Sequence, residues 1–295
     1  MNDYVLLTDS SADLTDALVK ELGVEVLPLS FTMRNKTYRN WPDNREIDPK
    51  DFYRQLREGE MATTSAVNVS DFTETIEPHL KEGRDVLVVA FSSGLSATCH
   101  SAQIAAQELS EQYPERKVYV VDSLCASLGQ GLLVWYAARM KNEGRGIGAV
   151  RDWLEENKLH LCHWFTVDDL HFLKRGGRIS SATAVLGTML SIKPIITFSD
   201  DGQLQSIAKV RGRRQVQDKI LELLRARFQS GRRYNLAVAN GGAPEEMAEF
   251  AARLKAEFPN YEHFWEGVMD ATLSVYIGDG VIGGGIYNHA ISFAE

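Results

Sequence analysis

Three serines and one glycine stand together in FSSGLSAT, residues 91–98, directly after the apolar run 86–91. This turn offers hydroxyl and backbone N–H groups, since it contains no lysine and no carboxylate. Ser92 or Ser93 fits the role of a helix cap, which stabilises a helix by about 1 kcal/mol. Gly94 allows a left-handed or nest conformation that aims N–H groups at a carboxylate or phosphate. Capping and anion binding therefore both remain open for this turn.

Two further polar turns, TDSSAD at 8–13 and VDSLCAS at 121–127, also follow apolar runs. If these runs are parallel strands, their carboxyl ends share one edge of a sheet, where α/β proteins bind ligands. The loop ATTSAVNVSD at 62–71 is also rich in hydroxyl groups. Ser70 fits a helix cap there, whereas capping leaves Thr63, Thr64 and Ser65 unexplained.

Two basic stretches stand in the second half, LKRGGRIS at 173–180 and KVRGRRQ at 209–215. The first contains Arg175 and Arg178, and the second contains Arg211. Such basic clusters usually lie exposed to solvent and have no binding function. The functional alternative is a clamp for an anion or for an acidic partner surface.

Motifs of several enzyme classes are missing from the sequence. It has no G-x-S-x-G nucleophile motif and no G-x-x-x-x-G-K-[ST] phosphate loop, and GRGIGA at 144–149 does not follow a predicted strand. Its three cysteines and seven histidines form no metal-binding pattern. A histidine phosphocarrier would need a histidine at the end of a first-half strand, but His79 and His100 fall in predicted helices. We therefore expect no catalytic residue and no metal site.

The 295-residue length suits two domains. Strand and helix signals alternate through the first half, which predicts an α/β domain with a parallel sheet over residues 1–165. Residues 166–295 are predicted as an α+β domain, whose predicted strands include 273–276. The glycine-rich stretch 276–287 predicts either tight turns between strands or a close approach of the backbone to a ligand or to the other domain. Residues 34–45 are predicted to be irregular, and residues 62–71 to form a loop.

Charge and hydropathy limit the partners. The net charge of −8 disfavours a nucleic-acid surface. No apolar run approaches the ~18 residues of a membrane span, and the first residues do not resemble a signal peptide. The three widely spaced cysteines suit a reducing compartment. We expect a cytoplasmic protein that binds no nucleic acid and contains no integral membrane segment.

The motifs TDSSADL, TTS…DF, FSSGLSAT, VDS, LKRGGRIS, KPII and KVRGRR occur in an order that resembles the DegV family of bacterial fatty-acid-binding proteins. The resemblance extends from Val5 to Tyr287. It implies a two-domain fold with a long-chain fatty acid in a tunnel between the domains. It also implies that first-domain groups hold the carboxylate, and the matching residues are Thr64, Ser65, Ser92, Ser93 and Gly94.

The resemblance further implies a separate ATP-dependent fatty acid kinase that phosphorylates the bound acid, so that the binding subunit performs no ATP chemistry. Arg211, with Arg175 and Arg178 near the domain junction, matches the partner-docking surface. Two motifs differ from the family pattern. TSAVN at 64–68 lacks the proline and second serine of T-S-x-P-S, and Tyr276 and Asp279 replace the histidine and proline of H-x-G-P-G. Tyrosine donates a hydrogen bond but stays neutral at pH 7.

The sequence thus predicts a cytoplasmic lipid-binding protein that holds a fatty acid carboxylate with Thr64 and Ser93, near Tyr276, and presents the acid to a partner kinase. It predicts no cofactor apart from the fatty acid ligand. Two alternatives remain open: an enzyme domain related to phosphotransferases and dihydroxyacetone kinases, and a regulatory protein that responds to lipid.

Overall fold

The structure is a computed structural model that describes residues 4–179, 192–227, 234–278 and 280–288. Ser180 of the basic motif and Asp279 lie outside these residues. The first half contains a parallel sheet of strand order β2-β1-β6-β7 and an antiparallel sheet of order β4-β3-β5. Its strands are β1 (Tyr4–Asp9), β2 (Glu25–Leu27), β3 (Ser30–Met33), β4 (Lys36–Arg39), β5 (Ala62–Ser65), β6 (Asp85–Ala90) and β7 (Val118–Asp122). Its helices are α1 (Asp16–Leu22), α2 (Pro49–Arg57), α3 (Val69–Lys81), α4 (Thr98–Gln112), α5 (Ser127–Asn142) and α6 (Ile147–Asn157).

The central strands β1 and β6 are buried along their whole length because helices cover both faces of the parallel sheet. Leu6 packs on one face in a cluster with Leu133 of α5. Leu7 packs on the opposite face in a cluster with Phe72 of α3. Burying each of these side chains stabilises the fold by about 1.5–3 kcal/mol. This two-sided burial explains the continuous apolar runs and confirms the predicted α/β class.

The small antiparallel sheet differs from the sequence prediction. β4 lies within residues 34–45, which were predicted to be irregular, and β5 lies within the predicted loop 62–71. Both strands are four residues long and mostly polar, so they show no clear apolar alternation. The sheet is stabilised through β3, whose Phe31 and Met33 pack against Phe52 of α2. These strands therefore depend on the packing of β3 against α2, which the local sequence of β4 and β5 does not reveal.

The second half forms a separate mixed sheet of strand order β10-β9-β8-β13-β11-β12. Its strands are β8 (Leu161–Thr166), β9 (Ile192–Phe198), β10 (Leu204–Arg211), β11 (Tyr234–Gly241), β12 (Tyr261–Val268) and β13 (Val281–Asn288). Its helices within the described ranges are α7 (Leu170–Arg175), α8 (Arg213–Arg227), α9 (Pro244–Glu257) and α10 (Ala271–Ile277). Ile220 of α8 and Phe250 of α9 pack together with Leu236 of β11. The predicted division between residues 165 and 166 stays a prediction, and this point lies within β8.

Two local predictions for the C-terminal region are wrong. Residues 273–276, predicted as a strand, lie in α10, where Asp270 caps the helix by accepting the Leu273 N–H at 2.9 Å. Residues 281–287 of the glycine-rich stretch lie in β13, in the middle of the sheet between β8 and β11, and not in tight turns. A Cβ on Gly284 would lie 3.0 Å from the Phe250 ring, so the missing side chain lets α9 pack closely on this strand.

Candidate ligand-binding site

An apolar cavity of about 100 Å³ lies between the two halves of the chain. Leu128 and Leu132 of α5 line it from the first half. Trp164 and Phe165 of β8 and Phe198 of β9 line it from the second half. Such a cavity excludes charged groups and accepts an aliphatic chain, because burying apolar surface is favourable.

A second cavity of about 170 Å³, which we call the polar cavity, carries hydrogen-bonding groups. Thr64, Ser96, Arg178 and Tyr276 contribute its polar side chains, together with Thr272. These residues come from four separate segments of the chain, so only the folded protein brings them together.

The apolar cavity and the polar cavity share part of their walls. Leu95, Leu204, Leu273 and Ile277 line both cavities. The two cavities are therefore adjoining compartments with aliphatic side chains in their common wall. One compartment has polar groups and the other is almost entirely apolar, which is the arrangement that an amphipathic ligand requires.

Strand β5 directs Thr64 into the polar cavity. Thr63 and Ser65, its neighbours on the same strand, are exposed, because alternate side chains of a strand point to opposite faces. Thr64 is paired in register with the buried Phe31 of β3. Its Oγ1 lies 2.5 Å from the hydroxyl oxygen of Tyr276 on α10. The structure thus brings together two of the predicted ligand-binding residues and separates Ser65 from them.

Tyr276 and Arg178 also lie in the wall of the polar cavity. The Tyr276 ring packs on Gly176, where a Cβ would lie 2.2 Å from the ring carbon Cδ1. The Arg178 guanidinium lies 4.3 Å from the centroid of the Tyr276 ring. Its Nε donates to the Leu95 carbonyl at 3.1 Å, and a terminal nitrogen donates to the Gly176 carbonyl. These contacts hold a cation in the cavity wall, where a guanidinium can bind a carboxylate by charge-assisted hydrogen bonds.

The turn at Ser92, Ser93 and Gly94 contacts the second half of the protein. Ser92 is fully buried, and its hydroxyl donates to the Gly202 carbonyl at 2.8 Å. Ser93 is exposed, and its N–H donates to Asp122 Oδ1 at 3.1 Å. Neither cavity has any of these three residues in its described wall. The role of the three residues in carboxylate binding stays a prediction.

Close packing explains the glycine in this turn better than a left-handed conformation does. Gly94 does not have a positive φ. A Cβ at Gly94 would lie 2.7 Å from the carbonyl carbon of Gly202, in the β9–β10 connection. Glycine therefore lets two backbone segments from different halves of the chain approach each other.

The sequence reasoning missed Ser96, the third serine of the FSSGLSAT motif. Ser96 lines the polar cavity, and its Oγ lies 2.9 Å from Thr98 Oγ1. Ala97, the N-cap of α4, also lines this cavity and makes no side-chain capping hydrogen bond. The N-terminus of a 15-residue helix carries partial positive charge, which favours an anion at this position. The serines of this motif were recognised in the sequence, but their spacing did not predict that the third serine lines the cavity.

A buried carboxyl group joins two of the predicted polar turns. Asp9, at the end of β1, accepts the Phe91 N–H at 2.7 Å and the Ser11 N–H at 3.1 Å. Burial raises the pKa of Asp9 above its ordinary value, although these hydrogen bonds act in the opposite direction. Asp9 therefore positions the start of the FSSGLSAT turn without contacting either cavity.

The predicted docking arginines occupy different environments. Arg175 is exposed at the end of α7, 4.8 Å from the Phe172 ring centroid. Arg211 is exposed at the end of β10, and its N–H donates to Gln215 Oε1 at 3.0 Å. Arg178, by contrast, lies in the wall of the polar cavity. A docking surface formed by all three stays a prediction.

The helices of the described residues include none that is long and apolar enough to span a membrane. Within the same ranges, no three His, Cys, Asp or Glu side chains are grouped so that they could hold a metal ion.

The fold is a two-domain α/β fold with an apolar and a polar cavity that adjoin each other. The DegV family model matches residues 4–289. A DegV domain-containing protein of Clostridium perfringens is 42% identical over 259 residues, which cover 88% of this chain and 89% of the relative. The chain belongs to the DegV family, and the resemblance found in the sequence is confirmed.

Two solved structures support the same assignment. A DegV family protein from Thermus thermophilus, described as binding fatty acid, has a TM-score of 0.88 at 34% identity and covers 98% of this chain and 100% of its own. DegV of Bacillus subtilis, described as a fatty acid binding protein, has a TM-score of 0.85 at 30% identity. The match covers 97% of this chain and 99% of the Bacillus chain. The predicted fold is confirmed, and the prediction of a binding protein agrees with the description of these relatives.

Proposed function

We propose that this protein binds a long-chain fatty acid between its two halves, with the carboxylate in the polar cavity and the acyl chain in the apolar cavity. The observation that carries the proposal is the shared wall between a compartment with hydrogen-bonding groups and a compartment that is apolar. The fatty acid binding described for the Thermus and Bacillus relatives supports the ligand class.

The two cavities contribute differently to binding. Each methylene group transferred to the apolar cavity stabilises the complex by about 0.8 kcal/mol, so the chain supplies most of the affinity. A hydrogen bond to a charged group contributes about 1.5–3 kcal/mol, so the polar cavity sets the orientation of the acid. We assign the carboxylate to Thr64, Ser96, Tyr276 and Arg178, which line one cavity.

Affinity for octadecanoic acid, measured by isothermal titration calorimetry, tests this assignment. Thr64→Val keeps the shape of the side chain and removes its hydroxyl, so we expect about tenfold weaker binding. Arg178→Gln should weaken binding more strongly, because it removes the cation. Thr63→Val is the matched control, since Thr63 is exposed on the same strand. If Thr64→Val and Arg178→Gln both bind as tightly as Thr63→Val, the carboxylate lies elsewhere.

Two serine variants separate the structural assignment from the sequence prediction. Because Ser96 lines the polar cavity and Ser93 is exposed, Ser96→Ala should weaken octadecanoic acid binding more than Ser93→Ala does. A larger loss in Ser93→Ala would support the original prediction, in which Ser93 holds the carboxylate.

We further propose that the protein presents the bound acid to a fatty acid kinase. The exposed cations Arg175 and Arg211 support this step, since arginine forms paired hydrogen bonds with carboxylates of an acidic partner. Formation of an acyl phosphate from radiolabelled ATP, bound acid and candidate kinases of the host provides the test. A lipid-responsive regulator would bind the acid and give no acyl phosphate with any of them.

A further inference from the structure

His163 is a polar side chain in the wall of the apolar cavity that has no assigned role. The other lining side chains with a polar atom include Ser127, Cys162 and Trp164, whose indole carries one N–H donor. The Ser127 hydroxyl donates to Asp13 Oδ2, and the Cys162 Sγ lies 3.8 Å from the His160 carbonyl oxygen. The His163 imidazole, in contrast, makes no hydrogen bond with any residue that the structure describes.

Packing holds the His163 ring in place. Its backbone carbonyl on β8 accepts the Thr197 hydroxyl at 2.8 Å. The centroid of its ring lies 4.9 Å from that of Phe198. On the other side the ring contacts Gly129 in the first turn of α5, where a Cβ would lie 2.5 Å from Nδ1. The imidazole is thus confined between the two halves of the protein, with part of its surface turned to the cavity.

The ring is neutral at physiological pH. Burial lowers the pKa of His163 to about 4, because it disfavours the charged form of the ring. A neutral imidazole has one N–H donor and one nitrogen acceptor. Methylene groups satisfy neither of them, and leaving a buried polar group without a partner costs about 1–3 kcal/mol.

We propose that the apolar cavity selects acyl chains that carry a hydroxyl group at an interior carbon, which forms a hydrogen bond with His163. The inference rests on the proposed function, and it narrows the ligand to hydroxylated fatty acids. A hydroxyl group suits this position because it both donates and accepts, and so fits either tautomer of the ring. The hydroxyl must be distant from the carboxylate, because His163 lines the apolar cavity while Thr64 and Arg178 line the polar cavity.

The test compares octadecanoic acid with a positional series of monohydroxyoctadecanoic acids by calorimetry. In the wild-type protein, at least one isomer should bind about tenfold more tightly than the unsubstituted acid. His163→Phe replaces the ring by an apolar ring and should abolish or reverse this preference. His163→Gln keeps a donor and an acceptor and should retain part of it.

The outcomes distinguish the two proposals. If the wild-type protein binds octadecanoic acid at least as tightly as every isomer, the selection by His163 is refuted and fatty acid binding stands. The same holds if the preference is unchanged in His163→Phe. If the wild-type protein binds none of these acids, the proposed function itself is refuted.

Discussion

Two carboxyl groups meet where the halves of the protein contact each other, and they make stability depend on pH. Asp13 is only 8% exposed, and its Oδ1 accepts the Asp270 N–H at 2.9 Å. Its Oδ2 accepts the Ser127 hydroxyl. Burial and the neighbouring Asp270 raise the pKa of Asp13 well above its ordinary value, and burial raises the pKa of Asp270 to about 6.

The direction of the effect follows from these shifts. The folded state holds the protons of this pair more tightly than the unfolded state does. Between about pH 4, the ordinary carboxyl value, and pH 6, the free energy of unfolding therefore falls as pH rises. The rise in the pKa of Asp270 to about 6 corresponds to a change of about 1–3 kcal/mol in the free energy of unfolding.

Asp13→Asn isolates this contribution. The amide oxygen of asparagine can still accept the Asp270 N–H, and its NH₂ group can donate to the Asp270 carboxylate. The variant should therefore gain stability relative to the wild type as pH rises from 4 to 8, by about 1–3 kcal/mol in total. Asp16→Asn is the control, because Asp16 is partly exposed on α1 and pairs with the exposed Lys20.

Urea unfolding at a series of pH values measures the effect. The wild type and Asp16→Asn should give parallel curves of unfolding free energy against pH, and Asp13→Asn should diverge from both above about pH 5. Parallel curves for all three proteins would show that Asp13 and Asp270 titrate as ordinary, independent carboxyl groups, and would refute the reasoning.

Two further predictions concern the interface and the thiols. Gly94→Ala forces a Cβ against the Gly202 backbone and should lower the free energy of unfolding, measured by urea titration, by about 1–3 kcal/mol. Gly148→Ala on α6 is the control. Its Cβ would meet open space, so it should not destabilise the protein in the same titration. Burial raises the pKa of Cys99 and Cys125 to about 12, so neither thiol should react with a disulfide reagent at pH 8 until urea unfolds the protein. Rapid labelling of both thiols in the native protein would contradict this.

Prediction from the sequence succeeded for strands that are buried on both faces and for short motifs that lie within one stretch of the chain. The runs that form β1 and β6 are continuous and apolar because both faces of these strands are covered by helices. Prediction failed where a distant contact determines the local structure. β5 exists because it pairs with β3, and residues 273–276 form a helix because Asp270 caps it.

The amino-acid sequence by itself determined the family, the α/β class and the presence of hydroxyl-rich turns, because these depend on local patterns of side chains. Only the tertiary structure decided which of these hydroxyl groups face a common cavity. Ser93 and Ser96 stand three residues apart in one motif, yet only Ser96 lines the cavity that contains Thr64 and Tyr276. Arg178 joins them because α7 and α10 pack together, and the direction of a side chain in space depends on such packing.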